Sequence, residues 1–259
     1  MLKDIVKYSI SLPGIKSTEY SEIKSPYSKE VIASIQQADE ETIEKALSTA
    51  EKVFKTEMAK MPAYKRSEIL NKTCQILEEN LEDFAKTIAL EGGKPIKDAR
   101  VEVKRCINTF SISAREALRL DGEQLAMDSQ EGSEHRIGMI VRQPIGVVGA
   151  ITPFNFPLNL VAHKVAPALA AGNTIVLKPS SQTPIASCKL QEALEKAGLP
   201  KGAFLVVPCK GSKANYIVRD PRLACMTFTG SPEIGWNLRK EVHPGTRVIL
   251  ELGGNAGII

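Results

Sequence analysis

No run of about 18 apolar residues occurs anywhere in this chain, so a membrane-crossing helix is not expected. The opening segment, Met1 to Lys7, carries charge where a secretory leader needs an apolar stretch. No Cys-x-x-Cys pair is present, and the five cysteines, Cys74, Cys106, Cys188, Cys209 and Cys225, are odd in number and widely spaced. That argues against a disulfide framework and against a zinc site, and it reads as reduced thiols in a soluble, cytoplasmic protein. Histidine is sparse too: His135, His163 and His243 have no metal spacing and no Ser, Cys or carboxylate constellation, so each is read as structural. The net charge of +4 is spread without a basic run, which gives no reason to expect a nucleic-acid or membrane partner. Repeats and low-complexity segments are likewise absent.

What is present is a large α/β pattern. At 259 residues the chain suffices for one sizeable domain with an appendage. Three long helical patterns come first. The first runs from about Asp39 to Phe54, with Ile43, Ala46, Leu47, Ala50 and Val53 on one stripe and an acidic first turn. The second runs from about Pro62 to Leu90 and stops at Gly92-Gly93, with Pro95 just beyond. The third spans about Lys97 to Leu118. A polar stretch then leads to a strand-like segment, His135 to Arg142, flanked by charge, which is read as an extended β arm leaving the domain.

From Ile145 onward, short apolar strands alternate with helices: Ile145 to Ile151, Thr174 to Leu177, Phe204 to Val207, Cys225 to Phe228 and Val248 to Leu250. Such alternation, with near-continuous Val, Ile and Leu in the strands, implies a parallel sheet covered on both faces. Thr183-Pro184 is read as an N-cap followed by a first-turn proline, and Ser231-Pro232 in the same way. The fold class is therefore α/β, a Rossmann-like doubly wound parallel sheet of about five strands behind long N-terminal helices, with ligands expected outside the carboxyl ends of the strands.

Several residues at those ends have two readings. Asn155 lies in a loop pinned by Pro153 and Pro157; it is either a rigid amide donor for an oxyanion or a turn and cap residue before the Leu158 to Ala171 helix. Lys178 ends a strand, where an ammonium meets a ribose or phosphate, or simply water. Ser231, after Gly230, serves as an N-cap and equally as a pyrophosphate site at a helix N-terminus. Lys210-Gly211-Ser212 is a weaker loop signal. Glu251, before Gly253-Gly254, is a general base or a solvated charge.

Ile151-Thr152-Pro153-Phe154-Asn155-Phe156-Pro157, Phe228-Thr229-Gly230-Ser231 and Glu251-Leu252-Gly253-Gly254, in that order, resemble the aldehyde dehydrogenase superfamily. Ser25 to Ile32 resembles the family's N-terminal hairpin, and Glu91-Gly92-Gly93-Lys94-Pro95 its Glu-x-Gly-Lys-Pro turn. The resemblance covers nearly the whole chain and leans toward members acting on lactaldehyde or, without phosphorylation, on glyceraldehyde 3-phosphate. It implies a discontinuous cofactor domain over residues 1–122 and 144–254, an oligomerisation arm over 123–143, and at 255–259 the start of a further catalytic domain. Asn155 and Glu251 would be catalytic, as oxyanion donor and activator of water. Ile151, Thr152, Pro153, Phe154, Lys178, Ser180, Ser181, Gly211, Phe228, Thr229, Gly230, Ser231, Leu252 and Gly253 would contact NAD or NADP. Ser181 stands where NAD-restricted members often carry glutamate, so neither cofactor is ruled out. The Pro-Phe-Asn loop takes the place of a G-x-G-x-x-G, as is usual in this family, and Phe154 replaces a frequent Trp. No Gly-Gln-x-Cys segment is present. The resemblance thus implies NAD(P)-dependent oxidation of an aldehyde to a carboxylic acid through a cysteine that this stretch lacks, in a homo-oligomer. The alternative is an inactive cofactor-binding or oligomerising fragment.

Overall fold

The computed structural model describes residues 5–257. The charged start at Met1 to Asp4 and the last two residues of the 255–259 segment lie outside the described residues. Strands β1 (Val6–Tyr8), β2 (Tyr20–Lys24) and β3 (Val31–Gln36) form a small sheet in the order β1-β3-β2. β2 and β3 pair antiparallel around the Ser25 to Ile32 turn. β1 joins β3 in parallel. Nothing in the sequence reading announces that pairing, because three residues are too few to show an alternation.

Helix α1 (Glu40–Thr56) begins where Asp39 accepts a hydrogen bond from the Thr42 amide at 2.8 Å, and it buries the expected stripe. The single helix expected from Pro62 to Leu90 is in fact two, α2 (Ala63–Glu79) and α3 (Leu81–Gly92). The break is at Asn80, whose side-chain amide donates to the Ile76 carbonyl at 2.8 Å and whose backbone leaves helical geometry at φ −109, ψ 21. The apolar stripe runs on through Leu77, Phe84 and Ile88, all buried, so periodicity alone merges the two. Gly93 ends α3 at φ +65, and a Cβ there would lie 2.8 Å from Pro26 Cγ. Helix α4 (Ile96–Glu116) follows.

The segment read as an arm holds two three-residue strands, β4 (Glu123–Leu125) and β5 (Gly138–Ile140), paired only with each other. The strand expected from His135 to Arg142 is thus shorter than its apolar pattern. Ile137, Met139 and Val141 project into solvent instead of onto a core.

Beyond the arm come β6 (Val147–Ile151), α5 (Asn159–Ala170), β7 (Thr174–Lys178), α6 (Ile185–Lys196), β8 (Phe204–Val206), α7 (Ala214–Val218), β9 (Leu223–Gly230), α8 (Pro232–Glu241) and β10 (Arg247–Leu252). The five strands are all parallel, in the order β10-β9-β6-β7-β8. Alternate residues point to opposite faces. Val148, Ala150, Ile175, Leu177, Phe204 and Val206 join a core with α2 to α6, while Val147, Val176, Leu205 and Val207 join a second core with α1, α7 and α8. Gly149 sits where β6 meets β9, and a Cβ would fall 2.7 Å from Leu223 Cδ1.

The start of α6 differs from expectation. Thr183 provides no cap, its hydroxyl having no partner, and Pro184 stands at the cap itself. The first amides of α6, Ile185 and Ala186, donate instead to the Glu91 carboxylate at 2.7 and 3.0 Å. Burial, opposed by the two amides, leaves that carboxyl raised to about 8.

Candidate active site

Helix α5 covers β6 and β7 and reaches the near side of the same face of β9 through Lys164 and Thr227; among the described residues no helix covers that face over β10. The strand period then does the rest: Cys225, Thr227 and Thr229 of β9 and Ile249 and Glu251 of β10 all point to that side, where they floor a cleft of about 920 Å³. Asn159, His163, Lys164 and Pro167 of α5 form its wall, and the loop after β6 closes the end. Register places that loop correctly. Ile151 lies beside Lys178 on one neighbour and Phe228 on the other, and Glu251 lies beside Thr229. Asn155 and Glu251, about a hundred positions apart, therefore line one cavity. The cleft follows an open sheet face up to the carboxyl ends of the strands; it is not confined to those ends.

Asn155 is exposed, and its carboxamide makes no hydrogen bond among the described residues. Its loop is fixed from below by groups that the sequence reading did not assign. Glu102, whose side chain is 0% exposed, accepts from the amides of Leu158 and Asn159 at 3.0 and 3.2 Å. Its other oxygen meets Lys94 Nζ at 2.5 Å, and the same ammonium donates to the Asn155 carbonyl at 2.8 Å. Lys94 also stands 3.8 Å from the centroid of the Phe156 ring. The start of α5 is thus capped by a carboxylate 56 residues away, which removes the reading of Asn155 as that helix's cap.

Lys164 is buried and donates to Thr227 Oγ1 at 2.9 Å. Burial pushes its ammonium down to about 8, against the pull of the Glu251 carboxylate. Burial, then the charges of Arg105 and Lys164, likewise lower His163, a residue read as structural that here faces the cleft. Cys225 is the one cysteine on the cleft among the described residues; its burial raises the thiol, as expected of an inert one. Asn159, His163 and Lys164 interrupt an otherwise apolar helix at intervals of four and one. That polar stripe on an apolar segment is the signal that would have found them.

Of the other expected residues, Pro153, Phe154, Thr229, Gly230, Leu252 and Gly253 line the cleft with Asn155 and Glu251. Thr152 and Phe228 are buried behind it, and Ile151 is half-buried. Lys178, Ser180, Ser181, Gly211 and Ser231 do not line it. Lys178 is buried rather than reaching out, donating to the Pro179 carbonyl at 3.0 Å, with burial lowering its pKa. Ser180 accepts from the Gln182 amide at 3.2 Å, and the exposed Ser181 donates to the Cys209 carbonyl at 3.5 Å. Gly211 opens a short 3-10 turn in open space. Ser231 caps α8 by backbone only, so its exposed hydroxyl is uncommitted.

A family model described as "Aldehyde dehydrogenase family" matches residues 15–259. The chain belongs to the aldehyde dehydrogenase family. Among curated members, a 3-sulfolactaldehyde dehydrogenase of Priestia aryabhattai is 40% identical over 262 residues, spanning 100% of this chain and 54% of its own length. Among solved aldehyde dehydrogenases, aldehyde dehydrogenase 21 of Physcomitrella patens, in complex with the reaction product succinate, superimposes with a TM-score of 0.93 at 40% identity, covering 98% of this chain and 53% of its own. The NADP-dependent glyceraldehyde-3-phosphate dehydrogenase of Bacillus halodurans C-125, complexed with NADP, gives 0.88 at 37% identity, covering 92% and 50%. The chain spans about half the length of the relatives it matches. No helix among the described residues is long and apolar enough to cross a membrane.

Proposed function

We propose that this chain is the cofactor-binding part of an NAD(P)-dependent aldehyde dehydrogenase that releases a carboxylic acid. The observation that carries the reading is the convergence of Asn155 and Glu251 on one cleft. The donor set suits a dinucleotide. The N-terminus of α8 offers backbone amides, a helix dipole and the free Ser231 hydroxyl to a pyrophosphate, and Gly211 and Gly253 leave the approach open. Lys178, at the end of β7, would have to leave the Pro179 carbonyl to reach a ribose beside Ser180 and Ser181, and with no carboxylate at position 181 a 2′-phosphate meets no repulsion there.

NAD or NADP, when bound, supplies the hydride acceptor. Asn155, held by the Lys94–Glu102 pair, directs an amide N–H at the substrate oxygen as negative charge develops on it. Glu251 takes the proton of the water that releases the acid. Lys164, buried in the wall of the same cleft, holds positive charge on that side. The nucleophilic thiol is none of the five cysteines here, four of which are buried and the fifth, Cys188, held high by burial. We place the protein in the cytoplasm and assign segment 123–143, with its exposed apolar residues, to contact between subunits.

The test is aldehyde-dependent reduction of NAD or NADP by the protein as its native gene encodes it. Turnover that Asn155→Ala and Glu251→Gln each reduce at least a hundredfold agrees with the reading. Cofactor binding with no turnover of any aldehyde would favour the inactive cofactor-binding form instead.

A further inference from the structure

Lys164 carries the one primary amine among the described residues that line the cleft, where it shares a wall with Arg105 of α4 and His163 of its own helix. It is 6% exposed and donates to Thr227 Oγ1 at 2.9 Å. Several lysines elsewhere pair with carboxylates: Lys94 with Glu102, Lys189 with Asp83, Lys210 with Glu19. Lys178, also buried, lies off the cleft on the Pro179 carbonyl. The titratable and charged groups around Lys164 are Glu251 on β10, Cys225 on β9, and His163 and Arg105 on the helices. Glu251 is the one carboxylate among them, and it acts on the amine through its charge and not through a hydrogen bond. Burial outweighs that charge and brings the ammonium down to about 8. At pH 7.4 an amine of that pKa is about one-fifth neutral, against about 0.1% for an ordinary lysine. Phe154, Leu160, Pro167 and Ile249 make the surroundings apolar.

A desolvated amine on the wall of an apolar cleft is a nucleophile toward carbonyl compounds. We propose that Lys164 is a covalent binding site for aldehydes, condensing reversibly with those that enter the cleft to form an imine. The nitrogen lone pair attacks the carbonyl carbon to make a C–N bond, the two N–H protons pass to the carbonyl oxygen, and that oxygen leaves as water. No oxidant or reductant is consumed. The hydrogen bond to Thr227 holds the nitrogen at the wall through one N–H and leaves the lone pair of the neutral amine to the incoming carbon. Glu251, on the floor of the same cleft, is the group placed to carry a proton from nitrogen to oxygen. The inference goes beyond the dehydrogenase reading, because this capture needs neither a cofactor nor a thiol.

The test incubates the 259-residue chain with butyraldehyde and sodium cyanoborohydride, which reduces imines to stable secondary amines, and follows each lysine by peptide mass spectrometry. At pH 7.4 Lys164 should be alkylated at least tenfold faster than any other lysine. Its lead over the others should shrink as pH rises from 8 to 10, where ordinary lysines become neutral as well. Lys164→Met and Lys164→Arg should each remove the fast phase, and the arginine variant, which keeps a cation in the wall, guards against a loss caused by misfolding. Glu251→Gln should slow the fast phase without abolishing it. Alkylation of Lys164 no faster than that of other lysines, or a fast phase that survives in Lys164→Arg, overturns the proposal and leaves the dehydrogenase reading intact. NADP titration of the same chain reads that one separately, and a Lys164 adduct on a chain that binds no cofactor would count against the dehydrogenase reading alone.

Discussion

Substitution of Glu102 offers the most direct look at how the Asn155 loop is held. The carboxylate is fully buried, meets Lys94 at 2.5 Å and accepts from two backbone amides, Leu158 and Asn159. Glu102→Ala strands an ammonium whose side chain is 16% exposed and leaves both amides without partners. Removing one member of a buried ion pair costs roughly 3–5 kcal/mol, so a loss of about 4 kcal/mol is expected. A domain of ordinary stability, about 5–15 kcal/mol, survives that and stays measurable. Glu102→Gln keeps an acceptor for the amides and loses the charge pairing, so it should lie between Ala and wild type. Combined with Lys94→Met it should destabilise less than the sum of the single changes, with a coupling of about 1–3 kcal/mol. Urea unfolding of each variant gives the energies, and amide hydrogen exchange at Leu158 and Asn159 localises them. A loss under about 1 kcal/mol for Glu102→Ala, or unchanged protection at both amides, would show that the pair does not hold the loop.

Lys164 predicts a stability effect of opposite sign. Its pKa falls from the usual 10.5 to about 8, so the folded state binds fewer protons than the unfolded state between those values. The cost of burying the charge, about 3 kcal/mol, is therefore fully present below pH 8 and disappears as pH rises toward 10.5. Against the lost hydrogen bond to Thr227, about 1 kcal/mol, Lys164→Met should gain about 2 kcal/mol at pH 7 and lose about 1 kcal/mol at pH 10.5; denaturant titrations at the two pH values that show no difference would contradict this. Thiol labelling is a third case. Burial raises the pKa of all five cysteines, so a disulfide reagent at neutral pH should label the native protein slowly and only in step with unfolding, and an immediate burst at any one cysteine would count against the packing described.

The parts legible in the sequence are those with a local cause. Strands buried on both faces appear as runs such as Thr174-Ile-Val-Leu, and the α1 stripe and Asp39 cap lie within one segment. The break at Asn80 escaped because the stripe continues across it. The caps on α5 and α6 escaped because they come from Glu102 and Glu91, 56 and 94 residues away, a relation that no window on the sequence contains. Asn155 and Glu251 stand out in the sequence through motifs, and the fold brings both to one cleft. Arg105, Asn159 and Lys164 acquire meaning only once α4 and α5 stand beside the cleft that β9 and β10 floor. Lys178 shows the converse: a strand-end lysine looks free in sequence, yet here it folds back onto the Pro179 carbonyl.

The measurement closest to the central claim is a crystal structure of the chain soaked with NADP, paired with calorimetric titration of NADP and NAD. The account predicts binding, with the pyrophosphate at Ser231 and the first turn of α8 and the nicotinamide in the cleft between Asn155 and Glu251. Absence of binding at millimolar cofactor, or a nicotinamide bound away from those two side chains, would contradict it.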